Sequence, residues 1–118
     1  MTRPSRPRVV DRVNTALRDG SRDGLLGAFV QAGRECALAE ARGDVRDGLI
    51  DMPLPFRAAE LLGVDAALLV ATAMEQLDAP AAGLLRRYAA RPDRADVGAM
   101  GWALETSDAG WRFSGWGA

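Results

Sequence analysis

Apolar residues recur at helical spacing along most of this chain, but glycine or proline interrupts the pattern at short intervals. The breaks fall at Gly20, Gly43, the "MPLP" run (52–55), Gly63 and Pro80. Glycine favours the position just past a helix, and proline is tolerated only in a helix's first turn. The chain is therefore expected to form several short helices packed in one compact bundle. A chain of 118 residues is sized for one domain around one core.

The stripe Val9, Val10, Val13 and Leu17 predicts a first helix from about Val9 to Asp19, stopped by Gly20. Ser21 suits the next N-cap, with Asp23 in the first turn, where the helix dipole favours negative charge. That helix, to about Arg42, is the best amphipath. Leu25, Leu26, Phe29, Val30, Ala32, Cys36 and Ala37 form its apolar face, opposite Gln31, Arg34, Glu35 and Arg42. Residues 44–56 read as a short helix broken at "MPLP", because a residue before proline avoids the helical region. A helix over 56–63 follows, then one over 64–78 with Asp65 as N-cap. The second of these is apolar nearly all round, so it is expected to be the central, most buried helix. Asp78 and Pro80 open a further helix to about Arg91, burying Leu84, Leu85 and Tyr88 and exposing Arg86, Arg87 and Arg91.

After the connector "RPDRAD" (91–96) the periodicity changes from helical to alternating. In "GWALETSDAGWRFSGW" a loop over 107–110 separates two runs of period two. Pairing around it sets Thr106 opposite Trp111, Glu105 opposite Arg112, Leu104 opposite Phe113 and Trp102 opposite Gly115. One face gathers Trp102, Leu104, Trp111 and Phe113, while the other carries an expected Glu105–Arg112 ion pair. Since a lone hairpin is marginal in water, its apolar face is expected on the helices, with Trp102 and Trp111 covering the core. The expected fold is mainly α: five or six short helices with a C-terminal β-hairpin at about 101–116, behind an extended arm at 1–8.

Composition narrows the chemistry. The chain has no histidine, which excludes Ser–His and Cys–His catalysis and imidazole zinc sites. Its one cysteine, Cys36, lies on an apolar helix face and reads as an inert core thiol. Asp44, Asp47 and Asp51 share a helical face, yet Arg42 and Arg46 interleave them, so they read as a solvated surface and not as a metal site. No phosphate-cradling glycine loop is present, so no cofactor or metal is expected. All fifteen basic residues are arginine, with alanine and glycine abundant, which reads as the codon bias of a GC-rich bacterial genome. The start lacks the apolar run of a signal peptide, and the longest apolar stretch, 66–74, falls well short of the ~20 residues that span a bilayer. A soluble, cytoplasmic protein with no membrane partner is expected.

The segment "RAAELLGVDAALLVATAMEQL" (57–77) resembles a helix-turn-helix. Ala59 falls in the first helix, Gly63 at the turn, and Val64 and Leu69 at core positions of the second helix. With the later hairpin as a wing, the resemblance implies a DNA-binding regulator, its phosphate contacts coming from Arg86, Arg87, Arg91 and Arg94. Against it, the second helix offers mainly alanine, valine and methionine to a groove, and the net charge is −1.

The preferred expectation is a non-catalytic protein-binding factor of accessory, adaptor or immunity type. Trp116, flanked by glycines on the opposite hairpin face, would carry the contact with Arg112 and Trp111, because tryptophan and arginine dominate interface hot spots. The same anchor suits a homo-oligomer contact. A third class, a small-molecule pocket protein or enzyme, would use the apolar helix 66–78 and the tail as walls.

Overall fold

The computed structural model describes residues 8–115. These form six α-helices, a single 3-10 turn and a two-stranded antiparallel hairpin. Residues 1–7 of the expected arm and Trp116 lie outside the described residues.

Helix α1 (Val9–Asp19) buries Val9, Val10, Val13 and Ala16 on one stripe. It ends at Gly20 in the left-handed conformation, where the Ser21 amide returns to the Ala16 carbonyl at 2.9 Å. Ser21 then caps α2 (Arg22–Ala41), its Oγ accepting from the Gly24 amide at 2.9 Å. Helix α2 is the axis of the molecule. It packs against α1, α3, α4, α5 and α6, and it buries Leu25, Ala28, Phe29, Val30, Ala32, Cys36 and Ala39. Being covered from several sides, it also buries Gln31 to 7% exposure, a residue expected on its solvent side.

Helix α3 (Val45–Ile50) starts at Asp44, whose carboxylate accepts from the Asp47 amide at 3.1 Å. Helix α4 (Pro53–Leu62) begins three residues before the expected start at 56, so the prolines open the helix instead of breaking it. Met52 is helical (φ −59°, ψ −38°) although a proline follows it. Proline lacks the N–H that a first turn leaves unbonded anyway, and the burial of Pro53, Leu54, Pro55 and Phe56 offsets the local preference. The Phe56 ring stands edge-on to Phe29, with centroids 4.9 Å apart, and lies 5.8 Å from Tyr88, joining α4, α2 and α6 in one core.

Helix α5 (Ala66–Gln76) is capped by Asp65, and α6 (Ala79–Ala89) by Asp78. The expectation that α5 is central does not hold. It buries only Leu69, Val70 and Ala73, leaves Leu68 at 55% exposure, and turns Ala67, Ala71 and Thr72 to the outside. Small side chains explain this: alanine carries too little apolar area to compete with the leucine and phenylalanine of α2 for the centre. On α6, Leu85 and Tyr88 are buried and Leu84 half-buried, with Arg86 and Arg87 exposed. Among the described residues, no helix is long and apolar enough to cross a membrane.

A 3-10 turn (Gly98–Met100) leads into β1 (Trp102–Ser107) and β2 (Gly110–Gly115). The strands pair in the predicted register, including Leu104 with Phe113 and Glu105 with Arg112. The hairpin lies against α1.

Candidate functional site

The hairpin turn is closed by its own residues. The Ala109 amide donates to Ser107 Oγ at 3.2 Å, and Gly110 adopts φ +102°, which a side chain would disfavour. Two aromatic anchors fix the far end. Trp102, 6% exposed, donates its Nε1–H to the Ile50 carbonyl at 2.8 Å. Its ring lies against Gly115 so closely that a Cβ there would sit 2.9 Å from Cζ3. Phe113 is 1% exposed, and Asn14 of α1 serves its backbone as a neighbouring strand would. The Phe113 amide donates to Asn14 Oδ1 at 2.7 Å, and Asn14 Nδ2 donates to the Phe113 carbonyl at 3.0 Å.

Those anchors act on the root of the hairpin, so its tip projects beyond the core. Trp111 shares a face with Phe113 but is 45% exposed, and the expectation that it covers the core is corrected. It lies one pleat nearer the turn, over a cleft of about 350 Å³ that it lines with Asp11, Asn14, Thr15, Arg18 and Arg112. The helix side of this cleft presents the polar and charged side chains of Asp11, Asn14, Thr15 and Arg18, which do not draw an indole out of water as a core does. On the other face, Glu105 and Arg112 are in register but form no ion pair, because Glu105 Oε1 accepts instead from Ser114 Oγ at 2.9 Å. Arg112 is exposed. Of the sequence-predicted contact residues, Trp111 and Arg112 thus meet at the tip.

The other candidates are dispersed. Arg86 and Arg87 are exposed on the last turn of α6. Arg91 is half-exposed and held in place: it grips Asp93 through two hydrogen bonds (2.9 and 2.8 Å) and stacks 4.8 Å over the Tyr88 ring. Arg94 donates to the Arg91 carbonyl at 3.2 Å and lines a groove floored by Phe56 and Val70. In the helix-turn-helix segment, Gly63 takes the left-handed turn conformation. The hairpin, however, packs on α1, and α5 packs on α2 and α6.

Cys36 is buried, and burial followed by the charge of Glu40 pushes its thiol above its ordinary value, disfavouring the reactive thiolate. Asp44 is spent on a cap and Asp47 pairs with Arg42 at 3.1 Å. Asp51, by contrast, lines a cleft of about 490 Å³ with Arg8, Glu35, Arg42, Asp47 and Ile50. Its carboxyl is pushed up to about 6, first by burial, then by the Glu35 carboxylate, against a partial offset from Arg8. Nothing in the sequence marks Asp51 apart from the other aspartates, since its burial depends on how α2 and α3 meet. Among the described residues, no group of three or more histidine, cysteine or carboxylate side chains is placed to hold a metal ion. The chain matches no protein-family model and has no significant match among curated proteins or solved structures.

Proposed function

We propose that the chain is a small, non-catalytic, cytoplasmic protein-binding factor of accessory, adaptor or immunity type, whose contact surface is the tip of the hairpin. The observation that carries this reading is Trp111, a large ring left 45% exposed on a braced hairpin. A rigid aromatic side chain already held out in water loses little conformational freedom on binding, and tryptophan and arginine are the residues that most often dominate interfaces. Arg112 stands beside it. Trp116 belongs to the contact on sequence grounds alone.

The test is affinity capture with the wild-type chain and with Trp111→Ala, followed by titration of the purified partner. Trp111→Ala should weaken binding at least roughly tenfold, with the unfolding midpoint nearly unchanged. Undiminished affinity of Trp111→Ala would refute the reading. Binding to duplex DNA that collapses with added salt and requires Arg86 and Arg87 would favour the nucleic-acid alternative instead.

A further inference from the structure

The two edges of the hairpin are treated differently. Neighbouring residues of an antiparallel pair point their backbone groups alternately toward and away from the partner strand. Asn14 receives both backbone groups of Phe113, so Phe113 faces away from β1. Leu104, opposite it, therefore faces away from β2, and so do Trp102 and Thr106 at the same parity. The Trp102 amide is taken by the Val97 carbonyl at 3.0 Å. Leu104 and Thr106 make no such bond among the described residues, and Ala103, Glu105, Thr106 and Ser107 around them are exposed. One edge of the sheet is thus closed at Phe113 by a helix side chain, while the other offers two consecutive outward-facing residues whose N–H and C=O groups have no partner among the described residues.

We infer that the outer edge of β1, at Leu104 and Thr106, is a strand-addition site for an extended segment of a partner protein with a basic residue opposite Glu105. The charge of Glu105 selects the occupant. A second copy of this chain would satisfy both open residues of both copies only in the antiparallel register centred on Glu105. That register sets Glu105 directly across from its own copy, where like charges repel. Shifting the two-fold to Leu104 requires the Trp102 amide, which is already donated to Val97. Shifting it to Thr106 pairs Leu104 with Asp108, in the turn. An arginine or lysine on a partner strand turns the same carboxylate into an attraction, and the main-chain bonds supply the rest of the grip. This site deepens the hairpin-contact reading and rests on it, adding the form and charge of the partner's segment.

The probe is a capped hexapeptide of alternating valine and threonine with one central arginine, compared with a twin carrying glutamate there. Amide exchange of the whole chain is followed by NMR. The arginine peptide at millimolar concentration should slow exchange at Leu104 and Thr106 and leave Ala103 and Glu105, already bonded to β2, unchanged. The glutamate twin should bind roughly fivefold more weakly, and Glu105→Arg should reverse that preference. Thr106→Pro removes one outward N–H where an edge strand tolerates proline, and should abolish the protection. Unchanged exchange at Leu104 and Thr106 overturns the inference, as does protection that grows with protein concentration without peptide, the signature of a second copy. Trp111→Ala separates the two ideas. Peptide protection that survives it while partner binding also survives defeats the Trp111 reading alone; partner binding lost with Trp111 but leaving Leu104 and Thr106 unprotected defeats strand addition alone.

Discussion

Replacing Asp51 with asparagine should stabilise the protein at neutral and alkaline pH and do little in acid. The carboxyl is raised from 3.8 to about 6 in the fold. A group with its folded pKa above its unfolded one contributes its stability fully below the unfolded value and loses it as pH rises through the folded value. Here the window runs from about pH 4 to about 6, and above it the ionised Asp51 burdens the native state. Two units at 1.36 kcal/mol each set a ceiling of roughly 3 kcal/mol. The cleft is open to water, and solvent screening lowers the realistic figure to about 1–2 kcal/mol. Asparagine has nearly the same shape and no charge to bury, so it removes the burden. Urea unfolding followed by tryptophan emission, at intervals from pH 4 to pH 8, measures the difference; other carboxylates titrate in both proteins and cancel. With a urea slope of about 1–3 kcal/mol/M, the asparagine variant should gain roughly 0.5–1 M in midpoint at pH 8 and almost nothing at pH 4. Equal midpoints at pH 8, or the same gain at both ends, would refute the account of burial beside Glu35. Glu35→Gln should shrink the gain at pH 8 and bring it to completion at a lower pH, because Glu35 is the second cause of the shift and only the folded value moves.

Asn14→Ala strips Phe113 of both partners for its backbone groups, and denaturant unfolding should show a loss of about 1–3 kcal/mol. Trp102→Ala should cost roughly 3–5 kcal/mol, whereas Trp111→Ala should cost under about 1 kcal/mol. Acrylamide should quench emission from Trp111 freely and from Trp102 poorly, read in single-tryptophan variants, and equal quenching of the two would contradict the tilt of the hairpin off the core. Gly115→Ala forces a Cβ to within 2.9 Å of the Trp102 ring and should lower stability by about 1–3 kcal/mol in the same unfolding assay. Cys36 should resist thiol reagents in the native protein and react once denaturant unfolds it, since burial both covers the thiol and opposes its ionisation.

The sequence by itself determined what short-range chemistry determines. Val9–Asp19 is a helix because its apolar residues share one stripe and Gly20 stops it; Ser21, Asp65 and Asp78 cap helices because their oxygens reach amides two or three residues on. The hairpin register was legible because period-two alternation and the turn at 107–110 admit one pairing that gathers the apolar side chains on one face. Tertiary structure decided everything that depends on which faces compete for the same interior. It placed α2 at the centre and left the apolar but alanine-rich α5 at the edge, because total buried area, and not local hydrophobicity, sets that order. It opened α4 at Pro53, where packing outweighs the local bias of the residue before proline. It also made the candidate site: alternation puts Trp111 and Phe113 on one face, but only the position of α1 under the strand buries one ring and leaves the other in water. Asn14, ninety-nine residues away in the chain, closes the Phe113 edge, and no local pattern carries a contact of that range.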